Sequence, residues 1–112
     1  MELALQALLS GICVNSYPTL APSEAQAPYV VWQQVGGREV TALTKKRVKR
    51  NALVQISVWA TTPDEATSVL AQIDAALRSS TAFQASPSGT KRMTYEHETS
   101  LYGEQQDWSI WP

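Results

Sequence analysis

Apolar residues recur every three or four positions in two segments of the chain, which is the spacing of one helix face. The first stripe consists of Met1, Leu5, Leu8, Leu9 and Ile12. The second consists of Ala66, Val69, Leu70, Ile73, Ala76 and Leu77. The second segment opens with a capping box, in which Thr62 suits the N-cap, Pro63 the first helical position and Glu65 the third. The pattern therefore predicts two helices, each with one apolar face.

Four other segments are rich in β-branched and aromatic residues and are predicted as strands: residues 29–35, 52–60, 92–99 and 105–111. In residues 52–60 the alternation is strict, with one face formed by Val54, Ile56, Val58 and Ala60, and the other by Gln55, Ser57 and Trp59. Residues 15–28 and 84–90 are predicted to be irregular, and Tyr102-Gly103-Glu104 to be a turn. The expected fold is α+β, a single domain over residues 1–112 with a two-layer, mostly antiparallel β-sheet and two helices packed on one face.

Composition narrows the class of protein. The chain has 112 residues, of which 44% are hydrophobic, so it is long enough for one core and too apolar to be disordered. No Lys or Arg precedes Arg38, which argues against a secretory signal, and no segment reaches the roughly 18 apolar residues of a membrane span. We therefore expect a cytosolic protein with no membrane partner, in which Cys13, the only cysteine, is a buried structural thiol.

Charge is concentrated in one stretch, residues 38–50, which we call the basic segment. It carries six bases and one acid (net +5), whereas the rest of the chain carries three bases and nine acids (net −6). The bases are Arg38, Lys45, Lys46, Arg47, Lys49 and Arg50. Three interpretations stay open: a solvated loop or hairpin, a nucleic-acid-binding module that neutralises phosphates, and a contact with the acidic surface of a neighbouring copy.

Tryptophan is unusually frequent. Trp32 and Trp59 are predicted on the strand faces opposite the core or at its border, while Trp108 and Trp111 lie close to the end of the sequence. Because tryptophan is enriched at protein interfaces, these four residues join the bases of the basic segment as candidate contacts with other subunits or partners.

Residues that could carry chemistry are few. His97 stands between Glu96 and Glu98, but strand alternation places the histidine and the two glutamates on opposite faces, so they do not converge on a metal ion. Gly36-Gly37 lacks the spacing of a nucleotide-binding fingerprint. We therefore nominate no catalytic, cofactor-binding or metal-binding residue and expect a protein that is not an enzyme; a small-ligand-binding domain or enzyme is the weakest alternative.

The order of several short motifs resembles a known family. These motifs are Tyr17-Pro18, Ala21-Pro22, Pro28-Tyr29-Val30-Val31, residues 54–60, Glu65-Ala66, Ala76-Leu77 and Tyr102. Together they are similar to the tail-completion, tail terminator and tail-to-head joining proteins of long-tailed bacteriophages and prophages, also labelled DUF3168. The resemblance covers nearly the whole chain.

The resemblance implies a structural function in virion assembly. Such proteins form a ring, usually of six copies, that caps the tail tube and joins it to the head connector, and the free subunit is a monomer. The partners implied are therefore further copies of the chain, the tail tube protein and the head connector protein, with DNA only passing through the ring. The family has a mobile loop after its second strand, here about residues 36–51, and no catalytic residues. The implied locations are the host bacterial cytoplasm during assembly and the virion tail.

Overall fold

The computed structural model describes residues 2–41 and 48–111. Within residues 38–50 it describes the backbone of these ranges but not the side chains. Its elements are α1 (Glu2–Ile12), β1 (Ser16–Pro18), β2 (Tyr29–Thr41), β3 (Val48–Ala60), α2 (Pro63–Ser79), β4 (Gln84–Glu96) and β5 (Leu101–Trp111). The five strands form one sheet in the order β1-β2-β3-β5-β4, in which β1 is parallel to β2 and the other pairs are antiparallel. The predicted α+β class is confirmed.

The core lies between the two helices and one face of the sheet. Strand β3 supplies Val54, Ile56 and Val58 to this face, and all three are fully buried, as their alternation predicted. The apolar faces of the helices cover them with Leu5, Leu9, Leu70, Ile73 and Leu77. Each such side chain contributes about 1.5–3 kcal/mol when it leaves water, so the layer contact is the main source of stability.

Helix α2 begins where its capping box predicted. The Thr62 side chain accepts a hydrogen bond from the Glu65 backbone N–H at 3.2 Å, which satisfies one of the free donors of the first turn. At the other end, the Arg78 side chain donates to Asp74 Oδ1 at 2.9 Å. The start of α2 is therefore set by the local sequence, and the exposed Arg78–Asp74 pair adds only a small stabilisation near its other end.

Two partly buried hydrogen bonds link the helices to the sheet. The Trp32 indole Nε1–H donates to Gln6 Oε1 on α1 at 2.6 Å, and the Thr67 hydroxyl on α2 donates to Glu104 Oε2 on β5 at 2.6 Å. Buried polar groups without partners are costly, so each helix has one preferred position over the strands.

Three boundary predictions are wrong. The segment predicted to be irregular contains β1, and residues 84–90, predicted as a loop, belong to β4. Strand β4 tolerates Pro87 and Gly89 because it is an edge strand, and its register shifts between Ser88 and Arg92. The turn between the last two strands is at residues 97–100 rather than 102–104.

Two of the tryptophans that were named as interface candidates, Trp32 and Trp108, lie in the core of the subunit. Trp32 pairs with Ile56 and Trp108 pairs with Val54, so both side chains share the helix-facing side of the sheet. Trp108 is fully buried, and the guanidinium carbon of Arg78 lies 5.9 Å from the centre of its ring. The buried face of Trp32 was not evident from the sequence because both faces of residues 29–35 carry apolar side chains, and Trp108 was selected by residue type and by its place near the end of the sequence.

Candidate subunit interface

The β2–β3 hairpin extends past the rest of the sheet. Strand β5 pairs with β3 only over Ala52–Ala60, whereas β3 continues to pair with β2 over residues 48–51. We call this two-stranded extension, residues 38–41 and 48–51, the arm. At its base the register shifts between Gln34 and Gly36, and Gly37 has a φ of 150°. A Cβ at Gly37 would overlap the carbonyl oxygen of Asn51, so glycine is required there.

The arm carries part of the basic segment. Arg38 lies in β2 opposite Asn51, and Lys49 and Arg50 lie in β3 opposite Val40 and Glu39. The other bases assigned to an interface, Lys45, Lys46 and Arg47, are outside the described residues. The backbone on either side of them pairs as a β-ladder, and mobility across residues 36–51 stays a prediction.

The sheet face opposite the helices, which we call the open face, has no second layer of described residues. Alternation brings to it Tyr29, Val31 and Gln33 from β2 and Gln55, Ser57 and Trp59 from β3. The Trp59 ring lies against Gly103 of β5, where an added Cβ would come within 2.6 Å of Cζ3. The absence of a side chain at Gly103 thus leaves space for the Trp59 indole, and the β5 backbone at this residue holds the ring in place.

A concavity of about 270 Å³ occupies one end of the open face. We call it the groove, and its lining is Leu20, Ala21, Tyr29, Val31, Gln33, Gln55, Ser57, Trp59, Glu96 and Gln105. Aromatic rings and aliphatic groups form its walls, and amides form much of its floor, where Gln33 Nε2 donates to Gln55 Oε1 at 3.3 Å. The exposed Leu20 side chain stands at its rim.

Glu96 is the carboxylate of the groove. Burial raises the pKa of the Tyr29 phenol above its ordinary value, and the nearby Glu96 charge raises this pKa further. Within the described part of the chain, the ion pairs are Arg78–Asp74 and Arg92–Asp107, and neither involves Glu96. The groove therefore combines ring faces, amide oxygens and one carboxylate without a described counter-ion, which is a favourable environment for a cation.

The groove and the arm lie at opposite ends of the same hairpin. Tyr29 begins β2 at the groove, and Thr41 ends it in the arm. The eight residue steps from Gln33 to Thr41 span about 26 Å at the rise of a β-strand. The subunit therefore has two unlike surfaces, one at each end of this stretch of strand.

The structure divides the four candidate tryptophans. Trp59 is half-buried in the groove and Trp111 half-buried at the end of β5, while Trp32 and Trp108 face the helices. The sequence reasoning missed Tyr29 and Glu96. The period-two pattern contained the signal for Tyr29, since its position alternates with that of buried Val30, but the position of Glu96 depends on the β4–β5 pairing.

Other chemistry has little support in the described residues. Among residues 2–41 and 48–111, no three side chains of His, Cys, Asp or Glu are grouped to hold a metal ion. Neither described helix has the length and apolarity for crossing a membrane. His97 lies in the turn after β4, rather than within a strand as predicted, with its ring 5.0 Å from that of Tyr95. Cys13 is buried, and burial raises the pKa of its thiol.

Comparison with known proteins identifies a family and a similar fold. Over residues 2–111 the sequence matches the family described as tail completion protein gp17. Among solved structures, a chain of "Virion of native gene transfer agent (GTA) particle" matches with a TM-score of 0.59 and 15% sequence identity, covering 98% of this chain and 87% of that chain. At this identity the likeness shows the fold alone. No curated protein matches the sequence.

Proposed function

The chain belongs to the tail completion protein gp17 family, and on that premise we propose that it is a structural subunit that closes the end of a phage tail tube as a ring and joins the tube to the head connector. The observation that carries the proposal is the pair of unlike surfaces at opposite ends of one hairpin. Identical subunits that meet through two different surfaces form heterologous contacts, which close into rings when the rotation allows.

Charge supports the same arrangement. The basic segment has a net charge of +5 and the remaining chain −6, so each copy attracts the next through opposite charges. We propose six copies in the assembled ring, with the tail tube protein and the head connector protein as its neighbours and DNA only passing through its centre. The free chain is a monomer in the host cytoplasm, and the assembled ring is part of the virion tail. Family membership supports this structural role rather than catalysis.

Tail assembly in vitro tests the proposal. Tail tubes made without this subunit are mixed with the purified protein, and capped or head-joined tails are counted by electron microscopy. The wild-type protein is expected to cap the tubes, and Lys45, Lys46 and Arg47 changed together to Glu are expected to abolish capping. The matched control is Lys91→Glu, a charge reversal at an exposed base on β4 outside the basic segment. Wild-type protein that does not bind tube ends would contradict the proposal.

Nucleic-acid binding is the second candidate function because six bases lie within residues 38–50. Binding through phosphates must weaken steeply as salt rises. A titration with duplex DNA at low and moderate salt tests it, and the absence of binding at low salt would eliminate this candidate.

A further inference from the structure

We infer that the groove receives the basic segment of a second copy of this chain, with a Lys or Arg side chain from residues 45–47 placed against Trp59, Tyr29 and Glu96. The inference rests on the proposed function, and it names the surface that one subunit offers to the next. The evidence is the chemistry of the groove and its distance from the arm of its own subunit.

The groove has the groups that bind an organic cation. Lys and Arg bind over the faces of Trp and Tyr rings, where the negative π-surface attracts positive charge. Glu96 supplies the opposite charge, and the side-chain oxygens of Gln33, Gln55 and Gln105 can accept hydrogen bonds from an ammonium or guanidinium group. All six side chains line the same concavity.

The position of the Trp59 ring is fixed before any partner binds. Because the ring lies against Gly103, with Cζ3, Cε3 and Cη2 all close to the place of a Cβ, little side-chain freedom is left to lose on binding. A site that is already ordered binds with a smaller entropic cost.

The described parts of the basic segment lie away from the groove of their own subunit. The β-ladder holds residues 38–41 and 48–51 in register, and about 26 Å of strand separates Gln33 from Thr41. Arg92 of the same subunit pairs with Gln105 at the edge of the groove, but its guanidinium is engaged by Asp107 at 3.3 Å, so the cation that we infer for the groove comes from another molecule. A second copy supplies the required charge, since its net +5 segment complements the −6 of the body that bears the groove.

Cross-linking between two variants tests the contact directly. Lys46→Cys and Glu96→Cys are each made in a Cys13→Ala background, mixed, added to tail tubes that lack the subunit, and treated with a short bismaleimide. A covalent heterodimer is expected. Gln72→Cys, on the exposed side of α2, replaces Glu96→Cys in the control, and the expected yield is lower by about tenfold, the ratio that a modest specific contact gives.

The outcomes separate the inference from the proposed function. Capped tubes with no excess of the 46–96 cross-link over the control overturn the groove as the receiving surface and leave the ring function standing. Chains that never bind tube ends overturn both. Capped tubes with the excess cross-link support both.

Charge exchange is an independent test. Glu96→Lys is expected to weaken capping about fivefold, the effect of replacing an attraction at an exposed carboxylate by a repulsion. The added change Lys46→Glu is expected to restore capping. The matched control Glu98→Lys alters a neighbouring acid outside the groove lining and is expected to have no effect. Unchanged capping by Glu96→Lys would overturn the inference. If duplex DNA at low salt also protects the cysteine of Lys46→Cys from labelling, the basic segment would be assigned to nucleic acid instead.

Discussion

The base of the arm should be far more sensitive to an added methyl group at Gly37 than at its neighbour Gly36. In Gly37→Ala the new Cβ overlaps the Asn51 carbonyl oxygen and the backbone has a positive φ. In Gly36→Ala the Cβ lies 3.7 Å from the Leu53 side chain, an ordinary contact. A strained backbone position of this kind costs about 1–3 kcal/mol, and the overlap adds to it because the Asn51 carbonyl belongs to a paired strand.

We therefore expect Gly37→Ala to destabilise pairing in the arm by about 2 kcal/mol, which raises the local opening constant about thirtyfold. Gly36→Ala should change it by less than about 0.5 kcal/mol. Amide hydrogen exchange over residues 38–41 and 48–51 measures the opening, and exchange over residues 54–58 of β3 reports the core, which should change much less. Equal exchange in the arm of the two variants would refute the reasoning. An arm without protection in the wild type would also refute it, and would favour the mobile loop that the family resemblance implies.

Three further effects follow from single contacts. Thr62→Ala removes the N-cap of α2 and should lower the free energy of unfolding by about 1 kcal/mol, measured by urea denaturation with Thr61→Ala as the control; equal losses would contradict the cap. Trp32→Phe removes the donor to Gln6 Oε1 and should cost about 2 kcal/mol; an unchanged urea midpoint would exclude a structural role for this bond. Tyr29→Phe concerns alkaline stability. The folded-state pKa of Tyr29 is raised above 10.0. The stability that the protonated phenol contributes is therefore complete below pH 10 and is lost as pH rises through the folded-state pKa. The variant should therefore lose stability less steeply than wild type above pH 10, in urea midpoints measured across that range; parallel curves would refute the assignment.

Elements with a strong local pattern were predictable from the sequence, and elements held by distant partners were not. The capping box and apolar stripe located α2, and alternation identified the buried face of β3. Strand β1 has only three residues and exists because β2 pairs with it. Gly103 indicated a turn by composition, but it is a strand residue because the Trp59 ring needs the space above it.

The candidate interface was predictable only where it depends on composition rather than on contacts between distant residues. The charge asymmetry is a property of composition and needs no structure to be seen. The groove depends on three strands that are far apart in sequence, so Tyr29, Glu96 and Gln105 come together only in the folded sheet. Trp32 and Trp108 show the limit of using residue type alone, since both have the composition of interface residues and the positions of core residues.

The β2–β3 hairpin fixes the distance between the groove and the arm, although its register shifts once between Gln34 and Gly36. A bulge of that kind absorbs an odd insertion or deletion in one strand. A change that moves the arm must therefore alter both strands, and each residue added to both β2 and β3 moves the arm by about 3.3 Å and exchanges inward and outward side chains beyond that point. The distance between the groove and the arm can thus vary only in discrete increments.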